Sequence, residues 1–197
     1  PQFKSDPRFT VLIGGSKAKT IVTINNKKKP LDDVRVRKAI ALAIDRQAII
    51  DGAMFGYGTP IGSHFAPHHP DYVDLLDRSP HDPEKARALL AEAGVSGLKL
   101  RLALPPPPYA RRGGEIVAAQ LREVGIETQT TNMEWAQWLE TVYKNHDFDL
   151  TIISHVEPMD IGIYARDGYY IGYDNADYRA LMDRLKAAVD PAERSVV

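Results

Sequence analysis

LKLRLALPPPPYARRGGEIVAAQLREVGIETQTTNMEWAQWLETVYKNHDFDLTII, residues 98–153, is the stretch on which the fold turns. It opens with strict alternation: Leu98, Leu100, Leu102 and Leu104 on one side, Lys99 and Arg101 on the other. That period of two predicts a strand with one buried face. Pro105–Pro108 ends it. Val117, Leu121 and Val124 then recur at helical spacing and Gly125 supplies a stop, so a helix follows. Ile126–Thr131 is β-branched and reads as the next strand. Thr131-x-x-Glu134 has the spacing of a capping box, with Trp135, Trp138, Leu139 and Val142 as the stripe of the helix it would open. Phe148–Ile153 reads as a third strand. The order β-α-β-α-β with short connections predicts an α/β fold with a parallel sheet and right-handed crossovers.

Working outward, Thr20–Asn25 reads as a further strand. Asp32-Asp33 opens a helix with Val36, Ile40, Ala43 and Ile44 on one face, and Asp45 caps a short second one carrying Ile49 and Ile50. The pattern vanishes from Gly56 to Pro80, which is read as a long ordered loop. Asp82-Pro83-Glu84 is a cap, an N1 proline and a first-turn acid, with Ala86, Leu89, Leu90 and Ala93 buried. Asn175 caps a late helix with Tyr178, Leu181, Met182 and Leu185 inward. Asp190-Pro191 opens one more, at which the sequence stops, so an excerpt of a longer protein is expected.

Composition removes several function classes. The 197 residues carry 25 basic and 26 acidic side chains and no cysteine. No disulfide scaffold, cysteine nucleophile or zinc finger is available. The near-zero net charge speaks against nucleic acid as partner. Gly56-x-Gly58-x-x-x-Gly62 has the wrong spacing for a phosphate loop. His64, His68 and His69 lie among prolines without helical ligand spacing, so loop packing is expected of them rather than a metal. His155, Glu157 and Asp160 offer acid/base groups but no nucleophile beside them, which leaves a small α/β enzyme as the lesser alternative. No catalytic residue, metal or cofactor is expected.

The segment Ser154–Asn175 lies beyond the carboxyl end of the third strand, where ligands bind in open α/β sheets. It holds Ser154, His155, Glu157, Asp160, Tyr164, Tyr169, Tyr170 and Tyr173. Tyrosine combines apolar area with a polar tip and suits a polar organic ligand. These eight residues, with Trp135, are the candidate ligand contacts.

Residues 30–50, PLDDVRVRKAIALAIDRQAII, resemble the segment P-[FL]-x-D-x-R-V-R-x-A-[LI]-x-x-A-[IL]-D-R-x-x-[IL] of the family-5 extracellular solute-binding proteins. Asp82–Gly94, DPEKARALLAEAG, is similar to a second segment of that family, and Gly56-Tyr57-Gly58-Thr59-Pro60 to its glycine-rich turn. The resemblance implies a lobe of the type II periplasmic-binding-protein kind. Residues 31–197 would form most of the C-terminal lobe, and 1–30 a partial, hinge-proximal N-terminal segment, with both ends cut. It implies a receptor that binds a peptide or similar polar solute between this lobe and an N-terminal one. Delivery would be to the inner-membrane permease of an ABC importer, from the periplasm or from a lipid anchor outside the cell. A sensing module without transport is the other role such a trap serves. In peptide-binding members an acid just past the third strand pairs with the peptide ammonium; here Ser154–Pro158 holds no acid in register, and Glu157 and Asp160 stand nearest.

Overall fold

The computed structural model describes residues 3–157 and 159–197; Pro1, Gln2 and Pro158 lie outside them, so the expected 1–30 segment is described from Phe3 onward. Four strands form one sheet: β1 (Lys19–Ile24), β2 (Leu98–Leu104), β3 (Ile126–Asn132) and β4 (Leu150–His155), in the order β1-β4-β2-β3. β2 runs parallel to both β3 and β4, as the alternation of strands and helices requires. β1 is antiparallel to β4, with Lys19 opposite His155 and Ile24 opposite Leu150. The 98–153 unit is parallel as expected, and β1 adds an antiparallel edge strand that makes the whole sheet mixed. A strand reached through a connection of more than 100 residues carries no local signal of its direction.

The helices are α1 (Val34–Ala43), α2 (Arg46–Met54), α3 (Pro83–Glu92), α4 (Pro108–Glu123), α5 (Trp135–Trp138), α6 (Ala176–Ala187) and α7 (Pro191–Val196). Asp33, Asp45, Asp82, Asn175 and Asp190 each accept a backbone N–H at their helix start, so all five side chains act as caps. From β2 to β3 the chain moves outward in the sheet; from β3 to β4 it moves back past β2. Crossovers of one hand then require α4 and α5 on opposite faces. That is the arrangement found. Leu100, Leu102 and Leu104 pack with Val117 and Leu121 of α4 and with α1 and α3. Ala103 packs with Trp138, Val142, Phe148 and Tyr170 on the other face. Three layers result, with a core on each side of the sheet.

Four local expectations are corrected. Thr131 caps nothing: it lies in β3 opposite Ala103, and α5 begins after Glu134, which makes no side-chain cap bond. Ladder pairing in the sheet outweighs the short-range capping pattern. Of the expected stripe, Trp138 and Val142 are buried while Trp135 and Leu139 are exposed, because the chain widens into a π-helical turn at Leu139–Lys144 and rotates the face. In α6 only Met182 is fully buried, and Leu181 is exposed. The third strand also starts later than expected and reaches further. Phe148 is buried ahead of it, and Ser154 and His155 are its last two residues.

Candidate functional site

β4 delivers its carboxyl end beside the start of β1, with His155 opposite Lys19, and the chain after it turns through the 3-10 segment Asp160–Ala165. A buried polar cluster forms beneath this turn. Asp160 Oδ1 lies 3.0 Å from Lys19 Nζ and 3.0 Å from His64 Nε2. Lys19 Nζ also donates to the Glu157 carbonyl at 2.6 Å. His64 Nδ1 sits 3.0 Å from the Tyr164 hydroxyl. His155 Nδ1 approaches Asp160 Oδ2 to 3.3 Å without hydrogen-bond alignment, and among the described residues neither Asp160 Oδ2 nor His155 Nε2 has a hydrogen-bond partner. Lys19 is 2% exposed, so this is an interior ion pair and not a surface one.

The electrostatics follow from that burial. Burial works to raise the Asp160 pKa, and the hydrogen bonds from Lys19 and His64 more than offset it, holding the carboxyl below its ordinary range. Burial lowers the His155 pKa, against the pull of Asp160, and keeps the ring neutral near pH 7. The Tyr164 and Tyr170 hydroxyls are raised by burial and stay protonated. Tyr169 and Tyr178 are each pushed up to about 12, again chiefly by burial.

The structure sorts the nine candidate residues by access. His155, Asp160 and Tyr170 are buried; Ser154, Tyr164, Tyr169 and Tyr173 are half-buried; Glu157 and Trp135 are exposed. Ser154 accepts a hydrogen bond from Thr20, and its N–H donates to the Tyr109 hydroxyl. Edge contacts link Trp135 to Trp138 and Trp138 to Tyr170, and a tilted contact links Tyr170 to Tyr169. Tyr164, Tyr173 and Tyr178 form a second edge-packed group, which with Ile21–Ile24 of β1 and Arg37 lines a groove of 390 Å³. A larger concavity of 460 Å³ lies at the other end of β2, lined in the main by Leu90, Val95, Leu98 and Val124.

His155, Glu157 and Asp160 bring their donor atoms within 4.8 Å of one another, as a metal site would. The cation that Asp160 already faces is the Lys19 ammonium, which would repel a metal ion there. Two members of this cluster escaped the sequence reading. Lys19 stands one residue before the strand foreseen from Thr20, and nothing local marks a lysine as buried. His64 was visible, but its partners lie about 90 to 100 positions away. Among the described residues no helix is long and apolar enough to cross a membrane.

Residues 1–172 match the family described as bacterial extracellular solute-binding proteins, family 5 Middle. The chain is 32% identical over 143 residues to the heme-binding protein A of Haemophilus influenzae, covering 70% of this chain and 26% of that one. It is 37% identical over 125 residues to the dipeptide-binding protein of Escherichia coli, covering 60% of this chain and 23% of that one. The chain thus spans about a quarter of the length of these two relatives. Its fold superposes with a TM-score of 0.87 on the periplasmic binding protein DppA of Helicobacter pylori, solved with the peptide STSA. The match has 20% identity and covers 99% of this chain and 40% of that one. A match over residues 1–172 of the 197 places the chain in the family-5 bacterial extracellular solute-binding proteins.

Proposed function

We propose that this chain is one lobe of a solute-binding receptor. Residues 31–197, with β1 (Lys19–Ile24) paired to them in one sheet, form most of the C-terminal lobe, and the segment before β1 leads to the hinge. A peptide or similar polar solute binds between this lobe and the N-terminal one and is handed to the permease of an ABC importer. The receptor works outside the inner membrane, in the periplasm or lipid-anchored. It performs no covalent chemistry: His155 is turned toward Asp160, which is already taken by Lys19 and His64.

The observation that carries this reading is the division of labour within Ser154–Tyr173. Asp160 is held by Lys19 and His64, and Tyr164 by His64, while Glu157 is left exposed near half-buried Tyr169. Glu157, whose Oε2 accepts the Val156 N–H, is then the exposed acid that meets a cationic group of the solute, and the tyrosines supply apolar area with polar tips. Solute touching both lobes favours the closed state by its extra affinity for it.

Calorimetry of the full-length protein with dialanine and trialanine, beside heme as a non-peptide solute, tests the reading. One class binds, and Glu157→Gln with Tyr173→Ala weakens it by about 10- to 100-fold, the loss of a charged contact and an aromatic one. Unchanged affinity in that double variant overturns the assignment of the segment. An isolated 197-residue lobe that binds as tightly as the whole protein overturns the two-lobe mechanism.

A further inference from the structure

The cluster under the Asp160–Ala165 turn joins four parts of the chain. Lys19 comes from β1, His64 from the 56–80 loop, His155 from the end of β4, and Asp160 and Tyr164 from the turn itself. Its charges balance in one protonation state. The Lys19 ammonium then faces the Asp160 carboxylate with an uncharged imidazole on either side. A single neutral tautomer of His64 satisfies both of its contacts: Nε2–H donates to Asp160 Oδ1, and Nδ1 accepts from the Tyr164 hydroxyl.

Protonating the imidazoles destroys this balance. The rings of His64 and His155 stand 5.6 Å apart, edge to face. Charged together, they and Lys19 would set three cations around the one buried carboxylate. Glu157 is the other acid facing the cluster; its carboxylate oxygen lies within 4.8 Å of the His155 and Asp160 donor atoms, but it is exposed and screened by water, and its carbonyl is what binds Lys19. The remaining titratable groups packed nearby, Tyr169 and Tyr178 against Tyr164, stay neutral and cannot compensate. Like charges in a poorly solvated site repel strongly, and the relief open to them is separation of the elements that carry them. An added proton on His64 Nδ1 also takes away the acceptor of the Tyr164 hydroxyl.

We propose that Lys19, His64, His155 and Asp160 form an acid-sensitive latch. It pins the 3-10 turn, and with it the Ser154–Tyr173 segment, to β1 and the 56–80 loop, and it opens as the histidines take up protons. Lys19 and His64 are positioning residues, acting on the segment through Asp160 and Tyr164. The effect on solute, weaker retention in acid, rests on the receptor reading above; the latch itself does not.

Hydrogen exchange of the full-length protein without solute, with rates divided by the intrinsic rate at each pH, tests the latch. In the wild-type protein, protection of residues 60–66 and 159–165 falls together by about tenfold between about pH 7.5 and about pH 5, while β2 keeps its protection. In a His64→Gln, His155→Gln variant the neutral-pH protection stays within about twofold and the acid step disappears. The wild-type series needs no variant, so misfolding of one cannot shield the proposal. No acid step in the wild type, a step in β2 of equal size, or an unchanged step in the double variant overturns it. An acid step in a protein that binds none of the probe solutes supports the latch and overturns the receptor reading.

Discussion

Thr151 shows how one hydroxyl joins two layers. Buried in β4, its Oγ1 donates to the Ala103 carbonyl at 2.6 Å and accepts from Trp138 Nε1 at 2.9 Å. Thr151→Val keeps the shape and strands the indole N–H, so urea denaturation should show a loss of about 1–3 kcal/mol. Asp160→Asn is the harsher test of the ion pair: it leaves Lys19 charged and buried, at a cost of about 3–5 kcal/mol. Adding Lys19→Met to it should recover a large part of that loss, because the orphaned charge leaves with its partner. If the double variant is no more stable than Asp160→Asn alone, the pair is not what holds the turn. The pH dependence has a definite sign. His155 has its pKa lowered in the folded chain, so between its ordinary value of 6.5 and that lowered value the unfolded chain binds more protons. Stability contributed by neutral His155 is complete above about 6.5 and is lost as pH falls through the lowered value. Asp160, lowered from 3.8, adds a loss of the same sign further into acid. Urea midpoints of His155→Gln measured from neutral to mildly acid pH should therefore fall less steeply than those of the wild type. At this scale the sequence was least informative, since Lys19 and His64 take their meaning from residues roughly 90 to 140 positions distant.

Packing between elements puts a limit on glycine. At Gly114 of α4 an added Cβ would stand 2.4 Å from Leu104 Cδ1 and 2.9 Å from Cδ2, so the helix approaches β2 only because this residue lacks a side chain. Leu104 is itself fully buried and has nowhere to move. Gly114→Ala should cost about 1–3 kcal/mol in thermal or urea unfolding, the range for overfilling a core. An unchanged midpoint would mean that α4 sits further from the sheet. Elements defined by local signals were legible in the chain. The alternating leucines of β2, the capped starts of α1, α2, α3, α6 and α7, and the parallel pairing of β2 with β3 and β4 all follow from neighbours in sequence. Where two local rules competed, or where the partner was distant, the reading failed. Thr131 had a capping spacing but also a strand neighbour, and the ladder prevailed. β1 runs antiparallel because its partner β4 comes from the far part of the chain, a choice made by tertiary assembly.

For the molecule as a whole, the topology places β4's carboxyl end and the amino end of α5 on the same edge of the sheet. Glu157 and Trp135 lie at that edge, where the proposed solute would bind, and Tyr173 lines the groove along β1. The segment's location was legible because a strand followed by a tyrosine-rich loop is a local pattern. Which of its residues are supports and which are contacts was not, because that depends on Lys19 and His64 arriving from elsewhere. Native mass spectrometry of the full-length protein from its own host, beside the same sample denatured, tests the central claim most directly. The account predicts a small, chemically unaltered solute released from the wild-type protein and missing from the Glu157→Gln, Tyr173→Ala variant. The same solute at equal occupancy in both proteins, or a chemically converted product in the wild type, would contradict it.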